Sequence, residues 1–142
     1  MDDAEGRAAL YPIGEHRPDL VRTLTGRDLS ALNTDAVLEG RVGLDDIRIT
    51  PKALRLQAGI ARAAGRDALA ENFERAAELA LIPQDELLAT YELLRPGRAG
   101  DTAAMRNAAA RLKAIYGAVR VAALIEEAAS VYERRGLLTK RY

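Results

Sequence analysis

The sequence predicts a mainly α-helical protein with an irregular N-terminal arm and a long helical region towards its C-terminus. Apolar residues recur at steps of three or four along most of the chain after residue 50, which is the spacing of one helix face. Proline and capping residues stand where helices begin and end in the same stretch. The 142 residues are enough for one small domain with a core of its own.

Residues 1–33 form the predicted irregular arm. Turn-forming pairs such as Tyr11-Pro12 and Arg17-Pro18 interrupt it, and its apolar residues follow no clear helical spacing. We expect turns and extended pieces there, with at most a short strand around residues 20–24. A disordered tail is the alternative for residues 1–10. The later apolar side chains favour docking, on this chain or on another one: Ile13, Leu20, Val21, Leu24, Leu29 and Leu32.

Residues 34–142 form the predicted helical domain. It opens with a short helix that Asn33 or Thr34 caps and Gly40 ends. A turn and a brief extended piece over residues 43–49 lead to the next helix.

Three consecutive helices with short joints are predicted over residues 50–96. Thr50-Pro51 begins the first, because a hydroxyl N-cap precedes proline at the first helical position. Gly65 ends that helix, Pro83 begins the third, and Pro96 marks its end. The side chains expected to face the core are Ala53, Leu56, Ile60 and Ala64, then Leu69, Phe73, Ala76 and Ala80, then Leu87, Leu88, Tyr91 and Leu94.

The last helical region carries one apolar stripe from Met105 to Tyr132. A single helix over residues 102–135 would be about 50 Å long at about 1.5 Å per residue. A compact domain of this size has a radius of gyration of about 14–15 Å. Either the helix bends at Gly117, or one end reaches out to a partner. The length favours two helices, or one kinked helix, broken near Gly117, followed by a short basic tail over residues 137–142.

Composition excludes several classes of protein. Lysine and arginine number 21, as do aspartate and glutamate, so the chain lacks the basic excess of a general nucleic-acid binder. It has no cysteine, which excludes disulfides and thiolate metal sites. No run approaches the roughly 18–20 apolar residues of a membrane helix. The acidic start is unlike a secretory signal peptide. We therefore expect a soluble, cytoplasmic protein.

No motif in the sequence indicates an active site. His16 is the only histidine, so no second imidazole can complete a zinc site with it. Glu126-Glu127 are neighbours on a predicted helix, where adjacent side chains point about 100° apart and do not converge on one substrate. Asp45-Asp46 are likewise only adjacent carboxylates, and the glycine pairs at 40/43 and 97/100 neither follow a predicted strand nor carry the ending of a phosphate-binding loop.

Three functional interpretations remain from the residues alone. The first is a structural or interaction subunit whose arm and long helical region lie on a larger partner. The second is a free-standing helical interaction, regulatory or DNA-binding module, although no helix is strongly basic. The third is an enzyme with a site built from scattered carboxylates, for which the sequence offers no positive evidence.

Short features distributed over residues 11–136 favour the first interpretation. In chain order they are Tyr11-Pro12, Leu24-Thr25-Gly26, Val42-Gly43, Asp46–Ile49, Leu56–Ala58, Asn72-Phe73, Arg75–Leu79, Ile82-Pro83, Tyr91, Leu94–Pro96 and Glu127–Tyr132. In this order and spacing, the chain resembles the small (gamma) subunits of adenosylcobalamin-dependent diol and glycerol dehydratases.

The resemblance implies a non-catalytic subunit in an assembly of large, medium and small subunits, with two copies of each. In that family the large subunit holds substrate and a metal ion, and the cobalamin lies between the large and medium subunits. The complex converts 1,2-propanediol or glycerol to an aldehyde by a radical mechanism that the cofactor supplies. The resemblance therefore implies no catalytic, cofactor-binding or metal-binding residue in this chain, and leaves the preference for diol or glycerol to the large subunit.

Five residues are predicted to contact the large subunit: Tyr11, Pro12, Phe73, Tyr91 and Arg95. Phe73 and Tyr91 fit the core of this chain equally well. Some family members lie in bacterial microcompartments, to which an amphipathic N-terminal extension can target them. Residues 1–10 carry few apolar side chains, so a cytoplasmic location is favoured over a microcompartment.

Overall fold

A computed structural model describes residues 4–138, and all the regular elements in that range are helices. The predicted mainly α-helical class is confirmed. The chain divides into two compact units, Met1–Ala80 and Leu81–Tyr142, called here the first and second units. The arm lies in the first unit, and its first helix packs against a helix that follows it. The predicted boundary at residue 33 stays a prediction.

The arm is built from short helices and turns, which corrects the expected extended pieces. Helix α1 (Ala4–Ala8) packs against helix α5 (Pro51–Ala63), because small side chains on both let them approach closely. Residues 1–3 of the expected disordered tail lie outside the described residues. A single bridge between Arg22 and Asp28 stands where a short strand was expected. The arm's other helical turns are α2 (Ile13–His16) and two 3-10 helices (Pro18–Leu20 and Leu29–Ala31).

Two very short helices follow the arm. Helix α3 (Thr34–Leu38) has the predicted cap, since the Oδ1 atom of Asn33 accepts the N–H of Ala36 at 2.9 Å. Helix α4 (Leu44–Ile47) stands where a brief extended piece was expected. Its first turn forms because the carboxylate of Asp46 reaches back to accept the N–H of Gly43 at 3.0 Å.

Helices α5 and α6 (Asp67–Leu79) form the centre of the first unit. Thr50 caps α5 as predicted, accepting the N–H of Ala53 at 3.1 Å. Alanine side chains at the contact let the two helices approach closely, and Phe73 packs against them, half-buried. The buried face differs from the predicted one: Ile60 is buried as expected, but the other buried residues are Leu54, Ala58 and Ala61 in α5, and Ala70, Ala77 and Glu78 in α6.

The second unit contains α7 (Gln84–Leu94), α8 (Thr102–Tyr116) and α9 (Val119–Arg135). The break predicted near Gly117 is confirmed, since Gly117 has a φ of 64° and separates α8 from α9. Asp101 caps α8 by accepting the N–H of Ala104 at 3.1 Å. The stripe predicted for this region is buried only in part: Met105, Leu112, Ala122, Ile125 and Ala129 lie in the core, which Ala109, Ala118 and Val121 complete. Ile115 and Val119 were predicted to belong to the stripe but are exposed, because the break at Gly117 interrupts the helical spacing between them.

Helix α7 departs from its predicted orientation. Leu88 and Tyr91 were expected in the core, but both are exposed, and no residue of α7 is fully buried. Leucines lie on several sides of this helix, so their spacing could not decide which side faces the core. Of the predicted basic tail, residues 139–142 lie outside the described residues. Among the described helices, none combines the length and the apolar character that crossing a membrane requires.

Candidate partner interface

Tyr11 and Phe73, two of the predicted interface residues, line the same groove in the first unit. The groove has a volume of about 470 Å³ and lies between the arm and helices α5 and α6. Tyr11 is exposed, and the third predicted residue, Pro12, follows it across a cis peptide bond. Phe73 contributes both to the core and to the groove wall. The remaining lining is mostly apolar and includes Ala8, Ile60, Ala61, Ala64 and Leu69, with Gln57 and Arg66 as its polar members.

Tyr91 and Arg95 lie in the second unit. Tyr91 is 61% exposed on α7, which rules out the alternative that it belongs to the core. Arg95 immediately follows α7, and its Nη1 atom lies 3.0 Å from the Oε1 atom of Glu92. The structure thus brings Tyr11 and Phe73 together in one unit, and places Tyr91 and Arg95 near the end of one helix in the other.

A further exposed apolar surface was missed by the sequence-based reasoning. Leu38 and Leu44 are about four-fifths exposed, at 80% and 79%, and three more aliphatic side chains nearby are more than half exposed. We call these five residues the aliphatic segment: Val37, Leu38, Leu44, Ile47 and Ile49. The available signal was the number of large aliphatic residues in a stretch whose helices are too short to turn a whole face inward.

Asp46 holds the aliphatic segment to the arm. It is buried, and besides the N–H of Gly43 its carboxylate accepts hydrogen bonds from the hydroxyls of Thr23, at 3.1 Å, and Thr25. The Nε atom of Arg27 lies 3.5 Å from the same carboxylate. The hydrogen bond from Thr25, followed by the one from the Gly43 N–H, holds the pKa of Asp46 below its ordinary value. These contacts fix the turn of the arm to the start of α4.

A second set of polar contacts links α7 to α8. The carboxylate of Glu86 accepts hydrogen bonds from Nη2 of Arg111 at 2.9 Å and from the hydroxyl of Tyr116 at 2.8 Å. The Arg111 hydrogen bond, with a further one from Tyr116, lowers the pKa of Glu86. The same carboxylate raises the pKa of Tyr116. The three side chains satisfy one another's hydrogen-bonding groups, and their hydrogen bonds join α7 to α8.

The described side chains form no cluster suited to binding a metal ion. Across residues 4–138, no three metal-ligating side chains come together. The Nδ1 atom of His16 lies 3.0 Å from the carbonyl oxygen of Ala9, so this nitrogen serves a local contact within the arm. The neighbouring carboxylates of Asp45 and Asp46 diverge, since one is exposed and the other is buried among hydroxyl groups.

Helical packing with exposed aliphatic side chains is typical of proteins that bind other chains. Comparison with known protein families shows which family the chain belongs to. The dehydratase small-subunit family matches residues 7–139, and the chain therefore belongs to that family. The resemblance inferred from the sequence is confirmed.

Two curated relatives agree with the family match. The chain is 45% identical over 125 residues to the propanediol dehydratase small subunit of Citrobacter freundii, covering 88% of this chain and 72% of the relative. It is 44% identical over 125 residues to the propanediol dehydratase small subunit of Salmonella typhimurium strain LT2, with the same coverage of 88% and 72%.

Proposed function

We propose that this chain is the non-catalytic small subunit of a coenzyme-B12-dependent diol dehydratase complex. The complex would dehydrate 1,2-propanediol or glycerol to an aldehyde by a radical mechanism. The observation that carries the proposal is the 45% identity to a propanediol dehydratase small subunit over 88% of the chain.

The proposed partners are the large and medium dehydratase subunits, with two copies of each of the three subunits in the complex. The small subunit would pack on the large one, and the complex would be cytoplasmic, with a microcompartment as the alternative location. The exposed apolar side chains in both units support binding to another protein, because exposed patches of this kind commonly mark interaction sites.

Adenosylcobalamin is assigned to the partner subunits. The described residues of this chain do not suit it, since the one imidazole lies in the arm and its Nδ1 atom contacts a backbone carbonyl. The groove beside Tyr11 presents mainly alanine, leucine and aromatic side chains rather than polar groups placed to orient a ligand. When bound by the complex, the cofactor supplies the radical chemistry. This chain would contribute the support of the assembly.

Reconstitution tests the proposed function. Large and medium subunits encoded beside this chain are purified and assayed with 1,2-propanediol and adenosylcobalamin, with and without this chain, which is also assayed alone. We expect aldehyde formation to require all three subunits and this chain alone to form none. Full activity without it, together with no co-purification, would contradict the proposal and favour the alternative of a free-standing helical interaction or regulatory module.

The five predicted interface residues give a second test of the same complex. Alanine at Tyr11, Phe73, Tyr91 or Arg95, or in place of Pro12, is expected to weaken subunit association, because truncated anchors leave part of an interface unfilled. Substrate preference should not change, since this chain does not contact the substrate. The association constant is measured by light scattering of the mixed subunits. If Arg95→Ala changed the ratio of glycerol to propanediol turnover in an intact complex, the role proposed for Arg95 would be wrong.

A further inference from the structure

The aliphatic segment leaves five large aliphatic side chains exposed to water within residues 37–49. Its five side chains are 51–80% exposed. Together these residues leave on the order of 300–600 Å² of surface in water, which is the size of the largest apolar patch on a typical monomer, a kind of patch that is often functional. We propose that the aliphatic segment is the surface through which this chain docks on an apolar face of a larger dehydratase subunit. This inference rests on the proposed function.

The segment continues into a concave surface. Ile47 and Ile49 line a groove of about 150 Å³ together with Val21, Leu29 and Leu32 of the arm. A groove of this size accepts one apolar side chain from a partner. Hot spots of protein interfaces combine such an anchor with a well-packed pocket. The contacts of Asp46 hold one wall of the groove in place, because they join the arm to α4.

Several charged groups beside the segment, including Arg22 and Arg48 of the groove lining, are matched within the chain. Three arginines there each pair with an acid a few residues away: Arg22 with Asp28, Arg41 with Glu39, and Arg48 with Asp45. These pairs need no countercharge from a partner. The complementary surface is therefore apolar and uncharged at its centre, as in the buried core of an interface. Binding through such a surface depends little on salt, since screening acts on charges.

A larger subunit fits the segment better than a second copy of this chain does. A stable interface buries about 800 Å² on each partner, which is more than the segment supplies by itself. A two-fold dimer would have to join the same small patch on both copies. A larger subunit can extend the contact beyond the segment to other parts of the first unit.

The test measures how one added charge changes the affinity for the other subunits. The full chain is titrated against the purified mixture of large and medium subunits, and the Kd is measured for the unmodified chain and for Leu44→Asp and Val37→Asp. Val119→Asp is the matched control, because Val119 in the second unit is 53% exposed and Val37 is 51% exposed. An acid at the start of α9 is also compatible with the helix dipole.

We expect Leu44→Asp to raise the Kd about tenfold or more, and Val37→Asp several-fold, because each places a charge in an apolar interface. Val119→Asp should stay within about twofold, and the Kd of the unmodified chain should change little between about 0.1 M and 0.5 M salt. Circular dichroism confirms that each variant is folded. Leu44→Ala provides a second variant without a charge, with an expected smaller increase in the same direction.

Three other outcomes distinguish an error in the docking surface from an error in the proposed function. If the unmodified chain binds the subunits and Leu44→Asp binds equally well, the docking surface is wrong while the proposed function stands. If the unmodified chain does not bind them at all, the proposed function itself fails. If the chain alone is a dimer that Leu44→Asp dissociates without changing subunit binding, the occupant is a second copy and the proposal is overturned.

Discussion

The aliphatic segment and the α8–α9 pair use similar residues for opposite purposes. Along α8 and α9 the apolar residues of one face form a buried core, in which Leu112 and Ile125 are 2% and 1% exposed. The aliphatic segment has equally large side chains in helices of five and four residues, and leaves them in water. Helix length decides the outcome, because a helix of one turn cannot gather several side chains on one face.

The two regions also differ in what stabilises them. The α8–α9 pair relies on packed apolar side chains, whereas the base of the aliphatic segment relies on hydrogen bonds to Asp46. A region held by polar contacts can keep its apolar side chains available for another protein. In a region held by apolar packing, the same side chains are buried against one another and cannot contact another protein.

The largest expected effect concerns the core of the α8–α9 pair. Ile125→Ala should lower the free energy of unfolding by about 2–4 kcal/mol, because it leaves a cavity at a fully buried position. The neighbouring Leu124 is 40% exposed, so Leu124→Ala should cost less than about 1 kcal/mol. Urea unfolding at pH 7, followed by circular dichroism, measures both. Equal losses for the two variants would contradict the assignment of the buried face of α9.

A smaller effect is expected at the joint between α8 and α9. Gly117 has a φ of 64°, and Gly117→Ala should lower the free energy of unfolding by about 1–2 kcal/mol, since side chains disfavour this conformation. Gly59→Ala in the middle of α5 is the control and should stabilise by about 0.5–1 kcal/mol. Its added Cβ atom would meet the Nη1 atom of Arg7 at an ordinary 3.6 Å. Thermal unfolding of the two variants should therefore shift in opposite directions.

The smallest effect, and the most specific one, concerns the base of the aliphatic segment. The folded pKa of Asp46 lies below its ordinary value of 3.8, so its ionised form stabilises the fold above about that pH. This contribution is lost as the pH falls through the lower, folded pKa. Asp46→Asn should therefore unfold at lower urea than the unmodified chain at pH 7, and the difference should shrink towards pH 2.

The neighbouring carboxylate provides the control for that pH series. Asp45 is exposed and pairs with Arg48 at 3.6 Å, an arrangement that contributes little to stability. The Asp45→Asn variant should have the same urea midpoint as the unmodified chain at every pH from 7 to 2. A constant difference between Asp46→Asn and the unmodified chain at every pH would show that the carboxylate charge is not what stabilises the base of the segment.

Local signals in the sequence were enough to predict several elements. Asn33 caps α3, Thr50 caps α5 and Gly117 separates α8 from α9, each as expected, because a cap or a positive φ depends on residues next to one another in the chain. The apolar stripe of α8 and α9 was predictable towards its two ends, where the spacing continues within one helix, but not at its centre, where Ile115 and Val119 are exposed on either side of Gly117.

Predictions that depended on distant contacts were less accurate. Tyr91 and Leu88 are exposed although their spacing suggested a core face, because leucines surround α7 and only its neighbour in space selects the buried side. The helical form of residues 44–47 depends on Asp46, whose partners Thr23 and Thr25 lie about twenty residues away in the chain. The predicted interface residues stay predictions.

The sequence by itself determined the helical class, the positions of the main caps and breaks, and the family to which the chain belongs. These properties are encoded in nearest neighbours, in short periods, or in the order of motifs. Only the tertiary structure decided which apolar side chains are buried and which remain exposed. Burial depends on what packs against a residue, and no described part of this chain covers Leu38 or Leu44.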